Sequence, residues 1–363
     1  MASLPTGLRE SSGLVVESPN LFWTHNDGGD ASKIYQIDSS GRLLRTVNVK
    51  NAANVDWEEM TFDTEGSLYI GDFGNNNEDR RNLLIYKILN FKNKYQTNSV
   101  AHDAVIEFSY EDQLQFPPSD AQKHFDAEAM IVEKDSIYII TKDFDTDPYT
   151  GKTWIYSIPN VGGKHVAKLT KILDTENSWK YKGAITASAK SNDGKVVLMS
   201  YLKLFVFSDF GAKPFWEGQK RVLDFSMFNI VQREALAFHP TNSCRLYITS
   251  EEAKGIGGNL STVNICDFLS KTKDTRTASA QVSVHPTPSV SDVFLDIKDI
   301  ISTDLRLNIS DINGRSIYKK DLSENEDKIL LEKNLFPTAG LYFYRVFSKK
   351  NANTFVGKIL IIN

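Results

Sequence analysis

Only two of the 363 residues are cysteine. Cys244 and Cys266 are too few for a disulfide scaffold, and their spacing suits no zinc finger. Long apolar runs are missing too: nothing approaches the ~18–20 residues that a membrane span requires, so no span is expected. The opening MASLPTGLRESSG lacks the basic and apolar regions of a signal peptide, so an exported form would have lost its leader before this sequence begins. Excess positive charge is absent. With 42 Lys and Arg against 46 Asp and Glu, the net charge of −4 offers no footprint for nucleic acid or an anionic membrane. No glycine-rich phosphate loop opens a helix, since GIGGN at Gly255 to Asn259 sits in a hairpin. No G-x-S-x-G elbow occurs, and Ser11-Ser12-Gly13 reads as a strand start. Nothing before residue 268 reads as a long helix.

What is present is a repeat. From Leu4 to about Phe268, short runs of Val, Ile, Tyr, Phe and Leu alternate with Gly, Asn, Asp and Pro clusters. Five copies of one unit align. First strands read ESSGLVV from Glu10, DWEEMTF from Asp56, DAEAMIV from Asp126, AITASAK from Ala184 and QREALAF from Gln232. Second and third apolar runs follow each, and four units show a fourth. The equivalent positions Ser12, Glu58, Glu128, Thr186 and Glu234 are 46, 70, 58 and 48 residues apart. Those intervals fit four-stranded propeller blades of roughly 40–50 residues, some with insertions. The expected fold is all-β: a β-propeller over residues 1–268 with five blades, or six if the longest interval hides a degenerate one. The last unit shows three strands, so LPTGL at Leu4 to Leu8 is expected to complete it. A sandwich or jelly roll stays open as the competing architecture. Residues 269–282 are polar and aperiodic, as a linker is, and 283–363 read as a small β-sandwich. With 363 residues against the ~250–300 at which single cores stop growing, two domains are expected.

The last eighty or so residues carry VHPTPSVSDVFLDI, then LRLNISDINGRSIYKKDL, then FPTAGLYFYRVFSKKNANTFVGKILIIN. With Pro286 and Pro288, the DINGR turn at Asp311 to Arg315, AGLYFYRV at Ala339 to Val346 and the closing KILIIN, this stretch resembles the C-terminal sorting domain of the type IX secretion system. The resemblance implies export through the periplasm and outer membrane, contact with the secretion machinery, and an extracellular or cell-surface address. Independently of it, Leu305, Leu307 and Ile309 alternate onto one strand face, with turns at Asn313-Gly314 and Ala339-Gly340. An accessory carbohydrate module is disfavoured by the lack of an exposed Trp or Tyr platform. The first 250 residues resemble uncharacterised secreted bacterial propellers, loosely phytase-like, through Glu10 to Leu14, Trp23 to Asp30, Asp56 to Glu58, Gly71 to Asn75 and Arg80. That resemblance carries no activity.

In an antiparallel blade the start of the first strand and the end of the second share one edge, because the chain doubles back. Asp56, Glu58, Asp126, Glu128, Arg233 and Glu234 begin first strands. His25, Asn26, Asp27, Asp72, Asn75, Lys142, Asp143, Tyr201, Glu251 and Glu252 end second strands. With Arg80 they are expected on one rim of the central channel. Asp56, Glu58, Asp126, Glu128 and Glu234 are the candidate metal ligands, an oxygen set that suits a hard divalent cation, calcium first. Three readings stay open: turn caps tying blades together, a cation site that binds a small molecule or glycan, and a metal-dependent hydrolase of an ester, lactone or phosphoester. A paired-carboxylate glycosidase also stays open, because carboxylate separation is invisible in sequence. His25 and His124 near the rim read as hydrogen-bonding groups rather than bases. A monomer is expected. If Ser250 pairs with Leu260, the same register sets Cys244 opposite Cys266, and an exported protein would allow a disulfide there.

Overall fold

The computed structural model describes residues 2–176, 178–225, 231–253, 255–266, 281–298, 305–311, 315–323, 326–348 and 354–362. The chain divides into two compact units, Met1–Ser270 and Lys271–Asn363. Of the expected linker, only Gln281 and Val282 lie among the described residues, and they open a strand of the second unit.

In the first unit the described strands fall into five antiparallel groups, begun by Ser11–Ser18, Trp57–Phe62, Ala127–Val132, Ile185–Lys190 and Arg233–His239. Each of these first strands packs against the first strands of its two neighbours, and the fifth closes onto the first. The result is a propeller-like ring around a central channel. Five apolar clusters fill the interfaces between successive groups. Val15, Trp23 and Ile34 meet Trp57, Met60 and Ile70 between groups one and two, and Leu14 and Phe22 meet Ala235 and Tyr247 where the ring closes. Strands buried on both faces explain why apolar runs, rather than strict alternation, mark the repeat in sequence.

The 70-residue interval holds no extra group among the described residues. Its surplus forms the short helix Phe91–Lys94, the strand Ser99–Ala101 added in parallel to the outer strand Leu43–Lys50 of group one, and a loop before Asp126. Groups two and three join through parallel pairing of Ala104–Tyr110 with Gly163–Asp174. Closure differs from the expectation at one point. The strand that completes the last group is Ala2–Ser3, pairing with Leu260 and Asn259, while Thr6–Leu8 coils into a 3-10 turn after Pro5. Pro5 has no N–H to give the ladder, so pairing stops before it.

Cys244 and Cys266 form a disulfide at the outer end of this hairpin. The register is one residue off the sequence expectation: Thr249, not Ser250, faces Leu260. Cys266 lies just past the strand, and the neighbouring Ile265 N–H donates to Cys244 O at 2.7 Å, so the cysteines meet where the ladder ends.

The second unit pairs a three-stranded sheet (Gln281–His285, Val293–Lys298, Lys328–Leu331) with a four-stranded one (Ser316–Asp321, Leu305–Ser310, Gly340–Ser348, Thr354–Ile361). Leu305, Leu307 and Ile309 share its core with Val293, Leu295, Val346 and Ile359. The turn expected at Asn313-Gly314 lies outside the described residues.

Candidate functional site

Each first strand carries a β-bulge near its start, and the bulged residue is the same one in every group: Ser12, Glu58, Glu128, Thr186 and Glu234. A bulge leaves one residue unpaired and re-aims its side chain. Five successive bulges therefore direct five side chains toward one end of the channel, three of them carboxylates, and all five are buried. Neighbours touch: Ser12 Oγ donates to Glu58 Oε2 at 3.1 Å, and Thr186 Oγ1 donates to Arg233 O at 2.5 Å.

Asp27 and Asp56 join Glu58 on one side. One carboxylate oxygen from each of the three lies within 4.8 Å of the others. Two glycines make this approach possible. A Cβ on Gly28 would sit 2.4 Å from Asp56 Oδ1, and one on Gly74 would sit 2.3 Å from Glu58 Oε1 and 2.6 Å from Asp56 Oδ2. Gly29, with φ of +88°, provides the reversal in the opening hairpin. Gly28 thus serves the neighbouring carboxylate and not the turn.

Burial, reinforced by Asp27 and Asp126, pushes the Asp56 carboxyl up to about 7. Burial and the facing Glu128 and Asp27 charges hold Glu58 well above the ordinary carboxylate range. Glu234 is raised by burial to about 7 against the opposing influence of Lys142 and Tyr201, and Glu251 by burial and by Glu234 to about 8. Like charges gathered in a poorly hydrated mouth cannot all ionise without neutralisation.

The other side of the mouth is a network. Lys142 Nζ donates to Glu128 Oε1 at 2.7 Å, and Tyr201 Oη donates to Glu234 Oε1 at 2.8 Å. Burial opposes the Lys142 charge, but Glu128 outweighs it and keeps the ammonium protonated. Glu234 Oε2, equally buried, has no partner. Such an orphaned buried acceptor is costly and needs an explanation.

The remaining sequence candidates divide by role. Asp72 is fully buried, accepts the Asp56 N–H at 2.9 Å and binds Arg80 at 3.0 Å, while Arg80 Nη1 donates to Gly74 O at 2.6 Å. These two clamp the loop that carries Gly74. Asp126 Oδ1 accepts the Asn75 N–H at 2.7 Å, tying groups two and three; Asp126, Glu128 and Glu234 lie outside the tight triad of Asp27, Asp56 and Glu58. Asn26 donates to Gly7 O at 2.8 Å and to Asp30 at 2.9 Å, a local tie. His25 is packed beneath the first bulge, where a Cβ on Gly13 would meet its Nε2 at 2.2 Å, and burial lowers it to about 4. Arg233 Nη1 donates to Tyr201 O, and its guanidinium lies 5.3 Å from the Phe225 ring centroid. Glu251 accepts from Gln232 Nε2 at 3.2 Å. His124 stacks on Trp154, 4.1 Å between centroids.

Sequence reasoning missed Glu59. Its carboxylate accepts N–H groups from Met60 at 3.0 Å and, in the first strand of group four, Ser188 at 3.1 Å. It reaches from group two to group four and ties strands that are not neighbours in the ring. Toward the opposite end, a cavity of about 650 Å³ is lined by Leu14, Met60, Ile131 and Leu236 among others. The signal for Glu59 was the third carboxylate of Asp56-Trp57-Glu58-Glu59, which alternation alone assigns to the strand face opposite Glu58; the bulge reverses that assignment.

Residues 283–363 match the family described as the secretion system C-terminal sorting domain. The protein therefore carries a type IX sorting signal, which addresses it to the cell surface or the extracellular space and implies contact with the secretion machinery. Among solved structures, the chain is similar to the extracellular domain of a protein described as a one-component system from B. thetaiotaomicron, with 9% identity and a TM-score of 0.31. That alignment covers 98% of this chain and 56% of the other, so this chain spans little more than half of its length. A second similar structure is XC5397 from Xanthomonas campestris, described as a gluconolactonase, with 11% identity, a TM-score of 0.38, and coverage of 70% and 71%. No curated protein matches the chain. Among the described residues no helix is long and apolar enough to cross a membrane.

Proposed function

We propose that the bulge-lined mouth of the channel is a ligand-binding site built on a divalent cation held by Asp27, Asp56 and Glu58. The observation that carries this reading is the convergence of three carboxylate oxygens within 4.8 Å, with Gly28 and Gly74 holding space open around them. An all-oxygen, carboxylate-rich donor set suits a hard cation, and calcium is the first choice. A bound cation would neutralise the repulsion that raises Asp56 and Glu58, and would polarise a ligand oxygen placed beside it. Around it, Lys142 offers a donor and Glu234 an unpartnered acceptor.

A second reading is favoured by Glu234. A buried carboxyl raised to about 7, with one oxygen fixed by Tyr201 and the other orphaned, has the makings of a general base. In that case the mouth would hydrolyse an ester, lactone or phosphoester with the cation polarising the substrate. Elemental analysis of the purified protein, with melting in EDTA and in added calcium, tests the cation. Turnover of chromogenic esters, lactones and phosphoesters by the calcium-loaded protein separates binding from hydrolysis. A metal-free protein whose melting point ignores both additions contradicts the cation reading.

A further inference from the structure

Beside the carboxylates stands an aromatic wall that the repeat pattern does not contain. It runs inward from solvent: Trp179, 40% exposed, lies 5.0 Å from Tyr181, centroid to centroid, and Tyr181 lies 5.8 Å from the buried Tyr201. Tyr201 ends the wall with its hydroxyl on Glu234. Phe144 backs the row at 5.5 Å from Tyr181, and its own face is covered by Lys180 Nζ at 3.8 Å. Trp179 is the ring of this row that reaches solvent, and Tyr181 lies partly buried behind it. The loop bearing them is anchored on both sides. Tyr149 Oη donates to Glu176 O at 2.8 Å, Lys203 Nζ binds Glu176 at 2.6 Å, and a Cβ on Gly183 would meet Tyr149 Oη at 2.2 Å. A platform held this way loses little freedom on binding.

We infer that Trp179 and Tyr181 form a stacking platform for a neutral sugar ring, and that the ligand of the channel mouth is a carbohydrate. This deepens the reading proposed above and rests on it for the location of the ligand's polar end. Three features single out this class. Aromatic faces are electron-rich and attract the polarised C–H face of a pyranose, which is apolar enough to leave water. The inner end presents mixed groups, the Lys142 ammonium, the Tyr201 hydroxyl and the orphaned Glu234 Oε2, which suit hydroxyls that both donate and accept. The one ammonium among these inner groups, Lys142, is already paired with Glu128 at 2.7 Å, so nothing among them favours a phosphorylated or acidic ligand over a neutral one.

The experiment is calorimetric titration of the full-length protein with a panel of neutral oligosaccharides (gluco-, xylo-, manno- and galacto-configured tetramers), with oligogalacturonate and tetramethylammonium as acidic and cationic probes. Each is run with calcium and with EDTA. At least one neutral tetramer is expected to bind; Trp179→Ala should weaken it at least tenfold and Trp179→Phe should retain most of the affinity, with melting unchanged because Trp179 is exposed. Binding of tetramethylammonium or oligogalacturonate alone, no binding by any probe, or wild-type sugar affinity in Trp179→Ala overturns the proposal. Sugar binding that is lost in Trp179→Ala but indifferent to EDTA leaves the platform standing and removes the cation from its role. Calcium binding without any sugar binding does the reverse.

Discussion

Ser12 and Glu58 occupy the same bulge in adjacent groups, 46 residues apart, and Ser12 Oγ donates to Glu58 Oε2 at 3.1 Å. The repeat that builds the ring thus also builds the mouth. Every group delivers one side chain to the same level, and the chemistry of the site depends on which residue type each bulge carries. Groups one and four carry hydroxyls that tie neighbours, and groups two, three and five carry acids.

The buried acids of the mouth make stability depend on pH. Glu234 and Glu251 have folded values of about 7 and about 8 against 4.5 ordinarily. A carboxyl raised on folding binds more protons in the native state, so stability falls as pH rises from about 4.5 toward 8 and levels off above it. In EDTA the melting temperature is expected to drop across that window, and Glu234→Gln should flatten the slope. A melting temperature that climbs between pH 5 and 8 contradicts the raised values.

Gly74→Ala should damage the cation site without unfolding the ring. The added methyl would crowd Glu58 Oε1 and the Asp56 carboxylate, both ends of side chains that can swing, and no left-handed backbone is involved. Calcium affinity, followed by terbium luminescence competition, is expected to fall more than tenfold while the melting temperature moves by a few degrees. Unchanged affinity would show that the carboxylates do not act together.

The Cys244–Cys266 disulfide spans 22 residues of sequence in the group that closes the ring. Loop-entropy reasoning gives it about 3 kcal/mol. The Cys244→Ser, Cys266→Ser pair should show that loss in denaturant titration, and the native protein should contain no reactive thiol. Two free thiols in protein purified without reductant would remove the bond from the account.

How much of this could be read from the chain alone follows from what is periodic. The alignment of Ser12, Glu58, Glu128, Thr186 and Glu234 was legible because one bulge recurs with the repeat. Asp27 and Asp56 were legible as rim residues, but their meeting with Glu58 was not, since it depends on Gly28 and Gly74 facing a neighbouring group across space. His25 was legible as a hydrogen-bonding residue near the rim, but its burial was not, since the missing side chain of Gly13 makes the hole it fills. The aromatic wall escaped because Phe144, Trp179 and Tyr181 sit on unique insertions that no repeat flags. Closure by Ala2–Ser3 was misplaced by two residues because Pro5 stops pairing.

Residues 1–280 are expected to fold without the sorting domain, since the first unit contains its own ring of five apolar clusters. A fragment ending at Ala280 should run as a monomer and melt in one transition near that of the full chain. Aggregation of the fragment would show that the sorting domain is needed for folding.

The most direct test of the cation site is calorimetric titration of calcium into the EDTA-treated protein and into its Asp56→Asn, Glu58→Gln variant. Both substitutions keep the shape of the side chain and relieve like-charge repulsion, so the variant should melt at or above the wild-type temperature in EDTA. One calcium is expected to bind the wild-type protein and raise its melting temperature, and the variant should show neither effect. A wild-type protein that takes up no calcium, or a folded variant that binds it with undiminished affinity, would contradict the assignment of Asp27, Asp56 and Glu58 as the centre of the site.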